Sequence, residues 1–545
     1  MPRNAETTRH NPITTLMQPR LSKSAAGTAT MLLACCMLTA CSSPPARAPI
    51  DVLTDRKQST SERTAAIQSV EKEAAANSAL AETLSQALQE ILWSPAQPRT
   101  LRRDALTKLA KDEKSLATLK TEGPSLLVRE PDPVIVADLC ELAASKGWRE
   151  WTPSLIRVFS RTGGQMDADT PGLSEQDKQL ITSRDWKYAT SAEKAIATLE
   201  QGIDINAVLW KYIVDQPEKL QDSTVVRRDA YTVLSQRDAS GDIRRRLISE
   251  STPASQDGKL IVEALKAGQT DLRVLPNQGE ELRWLLELAE RKSEATKAYW
   301  NEAAQAVKSV PTGTTVQLRH LEALRWANAN HSEWLAMDRN ALLQLLDTSL
   351  ANRNRISRSW GSRSKPYNEN AASNTAQSES TRYTALDWAD FIVVLSLNDV
   401  VNNPANASRL IQQATLDNSD RTSEYGGLIL SINAAPQTPI LYPPRAKDKR
   451  GDLEFHAPDD MIRDQTRALA HYHFHATAEK NQEAAGPSVE DLQYATSWAR
   501  GCVVFTSASK GRLNVDYYQP SSNNNAAGIV LDLGTITSTG FEQAH

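Results

Sequence analysis

The stretch Leu101-Arg-Arg-Asp-Ala-Leu-Thr-Lys-Leu109 returns further along the chain as Val226-Arg-Arg-Asp-Ala-Tyr-Thr-Val-Leu234. Looser echoes stand at Ile135–Ala143 and His320–Ala327. In each, apolar residues recur three and four apart, which stacks them on one face of a helix. That period runs through residues 61–351, where the alternation of a strand is hard to find. A chain that repeats one amphipathic helix cannot bury each apolar face alone, so neighbouring copies must cover one another. An irregular helical bundle reusing a common pattern meets the same need.

The repeated segment resembles the second helix of HEAT-type repeats. That resemblance implies an all-α solenoid of stacked helix pairs, about 40 residues each, with Arg and Asp laddering between neighbours. A region of this kind is a binding surface or scaffold more often than a catalytic unit.

Residues 352–383 break the pattern. They are rich in Ser, Asn and Arg and read as a linker or long loop. Arg353, Arg355, Arg358, Arg363 and Lys365 form a basic cluster there, either a solvated loop or a contact for anionic headgroups or cell-wall polymer. From residue 384 the texture changes. Leu428–Leu430, Cys502–Thr506, Leu513–Val515 and Ile529–Leu533 are apolar, mostly β-branched runs bounded by Gly, Asn and Ser. Helical stretches fall at Ala405–Thr415, Asp459–Leu469 and Val489–Arg500. Residues 384–545 therefore read as a mixed α/β domain, and the chain as multidomain: a helical repeat followed by α/β.

The N-terminus has its own logic. No Asp or Glu occurs from Thr7 to Ile50; Arg20 and Lys23 precede a small, apolar run from Ala25 to Met37. It ends in Leu38-Thr39-Ala40-Cys41, the layout of a signal peptide over residues 1–40. A Cys directly after the small residues resembles the lipobox of bacterial lipoproteins. The resemblance implies cleavage before Cys41, acylation of its thiol, and, with Ser42 and Ser43 following, an outer-membrane anchor facing the periplasm. An ordinary signal peptide with a chance Cys is the alternative. Residues 41–60, Ser-, Pro- and Ala-rich, read as a flexible tether. A net charge of −4 argues against a nucleic-acid partner. Of five cysteines only Cys140 and Cys502 remain after Cys41, too few for a disulfide scaffold, and they read as buried thiols.

Three of eight histidines lie in His471-Tyr472-His473-Phe474-His475. On a strand, alternation puts the three imidazoles on one face and the two aromatic rings on the other. Two His at i and i+2 can chelate one metal ion, although a polar strand face without metal is equally compatible. Downstream, Ser488-Val-Glu-Asp491 precedes an apolar-periodic helix and has the form of a capping box. Asp491 could instead turn toward the histidines. Upstream, Glu424 stands just before Gly-Gly-Leu-Ile-Leu430.

Taken together, Glu…Gly-Leu-Ile…His-x-His…Ser-x-x-Asp resembles the JAMM (MPN-like) metalloprotease family. The resemblance covers roughly residues 400–545. It implies a zinc ion held by His473, His475 and Asp491, with Glu424 as general base and Ser488 as oxyanion donor. In this sequence Ala476 takes the place of the family's proline, Lys480–Ala485 lengthens the gap to Asp491, and His471/His473 is an alternative pair. The chemistry such a set supports is metal-assisted hydrolysis of a peptide or isopeptide bond. The expectation is thus a membrane-anchored periplasmic zinc hydrolase. A lipid-tethered scaffold, or an envelope-binding protein using its helices to hold a periplasmic protein or cell-wall partner, is the alternative.

Overall fold

The computed structural model describes residues 47–162, 188–217, 220–356, 386–431, 436–447, 449, 451, 455–481, 484–520 and 529–544. The signal segment and Cys41 lie outside the described residues, as do Arg358, Arg363 and Lys365.

From Pro49 to Leu350 the described chain is helix after helix. The repeated motif marks Arg99–Leu109 and Ser223–Arg237, and its first arginine does the same work in both. Arg102 Nε donates to the Leu92 carbonyl at 3.0 Å, and Arg227 Nε to the Ile213 carbonyl at 2.9 Å. Both acceptors lie in the last turn of the preceding helix, where carbonyls lack intrahelical partners. Arg63 repeats the device on Leu53 at 2.8 Å. The second arginine differs between the copies: Arg103 Nε donates to Asp138 on another helix at 2.6 Å, whereas Arg228 pairs with Asp229 of its own helix at 3.3 Å.

Two expected boundaries move. Within the tether of residues 41–60, Pro49–Thr54 is a helix with Leu53 fully buried. Six residues are too few to hold a helix in water; packing on Thr60–Ala74 and the Arg63 bond hold this one. Within the linker of residues 352–383, Arg353 is buried. Its Nη1 donates to the Leu533 carbonyl at 2.8 Å, its Nη2 to Asn398 at 2.6 Å, and its guanidinium lies 3.7 Å from the Phe541 ring centroid. A guanidinium with those partners is structural, so the basic cluster loses its first member as a surface charge.

The sheet runs β2-β1-β3-β4-β5-β6-β7. Its strands are β1 (Gly426–Leu430), β2 (Thr438–Tyr442), β3 (Ala470–His475), β4 (Cys502–Ser509), β5 (Arg512–Gln519), β6 (Ile529–Thr537) and β7 (Gly540–Phe541). All neighbours pair antiparallel except β3 and β4. A parallel pair needs a crossover; here the crossover carries the helix Val489–Trp498. The helix Pro404–Ser419 covers the other face, where Tyr472 Oη donates to Gln413 at 2.7 Å. Cys140 and Cys502 are buried free thiols.

The helix Trp388–Asn402 joins the two regions. It is buried all round from Trp388 to Asn398, which erases the amphipathic signature. It packs on the helices Leu321–Asn330 and Arg339–Leu350 and also on β6 and β7. One hydrophobic core therefore runs from Leu53 to Ile536. No helix among the described residues is long and apolar enough to cross a membrane.

Candidate metal site

β3 places His471, His473 and His475 on one sheet face, as period two requires. β1 brings the acid. Gly426 pairs with His473, so the antiparallel register carried two residues back sets position 424 opposite His475. The ligating atoms of Glu424, His473 and His475 all lie within 4.8 Å of one another, and all three residues are buried. Gly426 leaves room for this: a Cβ there would stand 2.5 Å from the Phe455 ring, which stacks on His473 with centroids 5.6 Å apart.

The crossover helix brings the second carboxylate. Asp491 Oδ1 is 3.3 Å from His473 Nε2 and Oδ2 is 3.6 Å from His475 Nε2. The helix cap is present at the same time. Ser488 N–H donates to Asp491 Oδ2 at 2.7 Å, and Asp491 N–H donates to Ser488 Oγ at 3.1 Å. The capping box thus aims the carboxylate at the histidines instead of competing with that role. Ser488 sits in the same turn, its Oγ accepting the Asp491 amide proton.

The two imidazole Nε2 atoms are 3.2 Å apart. Two ligand atoms each about 2.1 Å from a tetrahedral zinc stand roughly 3.4 Å apart, so this spacing suits a shared ion. The tautomer suits it too. His475 Nδ1 donates to the Ala484 carbonyl at 2.7 Å, which turns the Nε2 lone pair of the neutral ring toward His473 and Asp491. The donor set fits a small divalent cation.

The electrostatics agree. Burial opposes charge on His475, but the Asp491 hydrogen bond and the Glu424 and Asp491 charges raise its pKa to about 9. Burial likewise opposes ionisation of Asp491, yet the charges and hydrogen bonds of His473 and His475 hold its carboxyl well below the usual range. A pocket that holds a proton this firmly is one that favours a cation.

His471 does not join them. Its Nδ1 meets Tyr494 Oη at 2.8 Å, and burial, with Arg500 nearby, keeps its pKa well below the ordinary value. Asp491 and Tyr494 are three apart on one helix face, so each meets a different histidine. The alternative pair His471/His473 is set aside for that reason.

A second acid–histidine group, His320 with Asp387 and Asp390, lies where helices meet sheet. Gln317 N–H donates to His320 Nδ1 at 3.1 Å, so Nε2 carries the proton and faces Asp390 at 3.1 Å. Arg319 Nη2 takes the same Asp390 oxygen at 2.6 Å. Both ring nitrogens are spent on protein partners, which makes this a structural node.

Residues beyond the motif support the candidate site: Ala484 through its carbonyl, Asn481 beside it and Phe455 through its ring, while the Tyr494 hydroxyl holds His471 apart from it. Backbone acceptors leave no mark in a sequence; Tyr494 was legible only as Asp491 plus three. In comparison with known proteins, no family model, no curated protein and no solved structure matches this chain.

Proposed function

We propose that the C-terminal site binds one zinc ion through His473, His475 and Asp491 and hydrolyses peptide or isopeptide bonds, in the manner of the JAMM family that its motif resembles. The single observation that carries this reading is the convergence of two Nε2 atoms 3.2 Å apart with a carboxylate at 3.3 and 3.6 Å. A zinc ion bound there would supply a Lewis acid that makes water nucleophilic near neutral pH.

The chain's own residues do the rest. Glu424, the one carboxylate of the cluster outside the ligand set, accepts the proton of the attacking water. It then delivers that proton to the departing amine nitrogen as the C–N bond breaks. Ser488 Oγ–H is assigned to the developing oxyanion, where a donor is most effective as charge accumulates in the transition state.

Metal analysis of the purified chain, followed by Glu424→Gln and His475→Ala, tests this. We expect one zinc per chain. Glu424→Gln should keep the zinc and lose at least about 100-fold in hydrolysis, the usual contribution of a general base. His475→Ala should lose both. A preparation without stoichiometric metal overturns the enzyme reading and leaves the helical region as a scaffold or envelope-binding module.

We also propose export and a lipid anchor at Cys41, resting on Leu38–Cys41 after an acid-free, basic-then-apolar segment. Cys41→Ala should block maturation and release the protein from membranes. Retention of that variant after a carbonate wash refutes the anchor.

A further inference from the structure

His475 is the last residue of β3, where strand pairing stops constraining the chain. Its ring is oriented instead by the bond from Nδ1 to the Ala484 carbonyl at 2.7 Å. A carbonyl in a loop can orient a ligand only if the loop is itself held. Among the described residues, three hydrogen bonds made by Asn481 hold it. Its amide N–H donates to the Ser507 carbonyl on β4 at 2.8 Å. Its carbonyl accepts the Ala484 N–H at 3.0 Å, which ties it to the residue whose oxygen meets His475. Its side-chain Nδ2 donates to the carbonyl of His475 itself at 3.2 Å.

We infer that Asn481 is a positioning residue for the metal ligand His475: it clamps the turn at Ala484 so that the ring keeps Nδ1 protonated and offers Nε2 to a divalent cation. This rests on the metal-binding reading above and extends it to the stretch where this sequence is longer than the family pattern. In physical terms the added residues supply the second partner that a ligating imidazole needs. An imidazole whose Nδ1–H lacks a fixed acceptor swings about χ2 and exchanges tautomers, so Nε2 presents its lone pair for only part of the time. Ser507 anchors the same turn to the strand beside β3, so the clamp moves with the sheet that carries His473.

The test uses the full-length chain, cobalt(II) as an optical probe, and zinc competition against a chelator. Asn481→Ala removes the side-chain donor. Asn481→Asp keeps the volume and removes the donor, so it decides the matter if the alanine variant folds poorly. Lys480→Ala, a change at an exposed neighbour, is the control. Both Asn481 variants lose the side-chain tie to His475 and keep the two main-chain ties, so they should bind zinc more weakly by up to about 10-fold, the low end of the cost of losing an outer partner of a metal-bound histidine. Their thermal melts should stay with the parent, and nitrogen-15 shifts recorded above about pH 9, where the metal-free ring is neutral, should report His475 as a mixture of tautomers. A parent that binds cobalt alongside variants that bind it equally well, with Nδ1 still protonated, overturns the clamp and spares the metal site. A parent that binds neither cobalt nor zinc overturns the metal site itself, and this inference with it.

Discussion

At the scale of single residues, the proposed zinc ion would compete with a proton for His475. His475, with a pKa of about 9 in the metal-free protein, is charged at neutral pH. Its Nε2 must give up that proton before it can ligate. The sign follows: below about pH 9, raising the pH removes a competitor, and zinc affinity should climb by up to about tenfold per unit before levelling off. Competition titrations between about pH 6 and 9 would read this, and calorimetry in buffers of different ionisation enthalpy should report proton release near neutrality. An affinity flat across that range would mean that the carboxylates do not hold a proton on the imidazole. His471 adds nothing to this dependence, because burial, with Arg500 nearby, keeps it neutral.

Among the elements, the helices are tied by their repeated arginines unequally. Arg102 is buried, binds the Leu92 carbonyl twice, at 3.0 and 2.7 Å, and pairs with the buried Glu130. Its neighbour Arg103 pairs with Asp138 in the open, with about half of its side chain exposed. Replacing Arg102 by Met strands a buried carboxylate and should cost about 3–5 kcal/mol. Arg103→Ala should cost no more than about 1 kcal/mol. Chemical denaturation of the two variants checks the contrast, and equal losses would show that the carbonyl contacts do not hold the array. The repeat was legible because both arginines are sequence features. Which one points inward was not, since that depends on where the preceding helix ends. β2 was missed for a related reason: Pro439 argues against a strand, and only an edge position, with Pro on the unpaired side, accommodates it.

For the whole molecule, helices and sheet share one core, so a cut at the change of texture near residue 384 should expose apolar surface. Trp284, in the helical region, is buried beneath the Arg500 guanidinium at 4.1 Å, and its Nε1 donates to Glu280 at 2.9 Å. Gln465, just before β3, donates to the same Glu280 oxygen at 3.2 Å. Gln278 reaches the Thr496 carbonyl, near the end of the helix that carries Asp491, at 3.1 Å. The helical region thus braces both elements that meet at the candidate metal site. Trp284→Ala should cost about 3–5 kcal/mol. A fragment starting at residue 384 should fail to fold, since it would expose the apolar surface of Trp388–Asn402. A fragment that melts cooperatively would show that the domains are independent.

The amino-acid sequence by itself determined the elements, helical period over residues 61–351 and β-branched runs after 384, and set His473 and His475 two apart on one strand face, while Asp491 and Glu424 entered only through the resemblance to the JAMM motif. The elements and the histidine pair depend on local spacing, which a chain carries without folding. Only the tertiary structure decided that Asp491 serves cap and cluster together, that His471 pairs with Tyr494, that Arg353 is a buried tie, and that Asn481 and the Ala484 carbonyl hold the ring of His475. Each of these depends on register across strands or on backbone atoms that every residue shares, and neither is written in side-chain spacing.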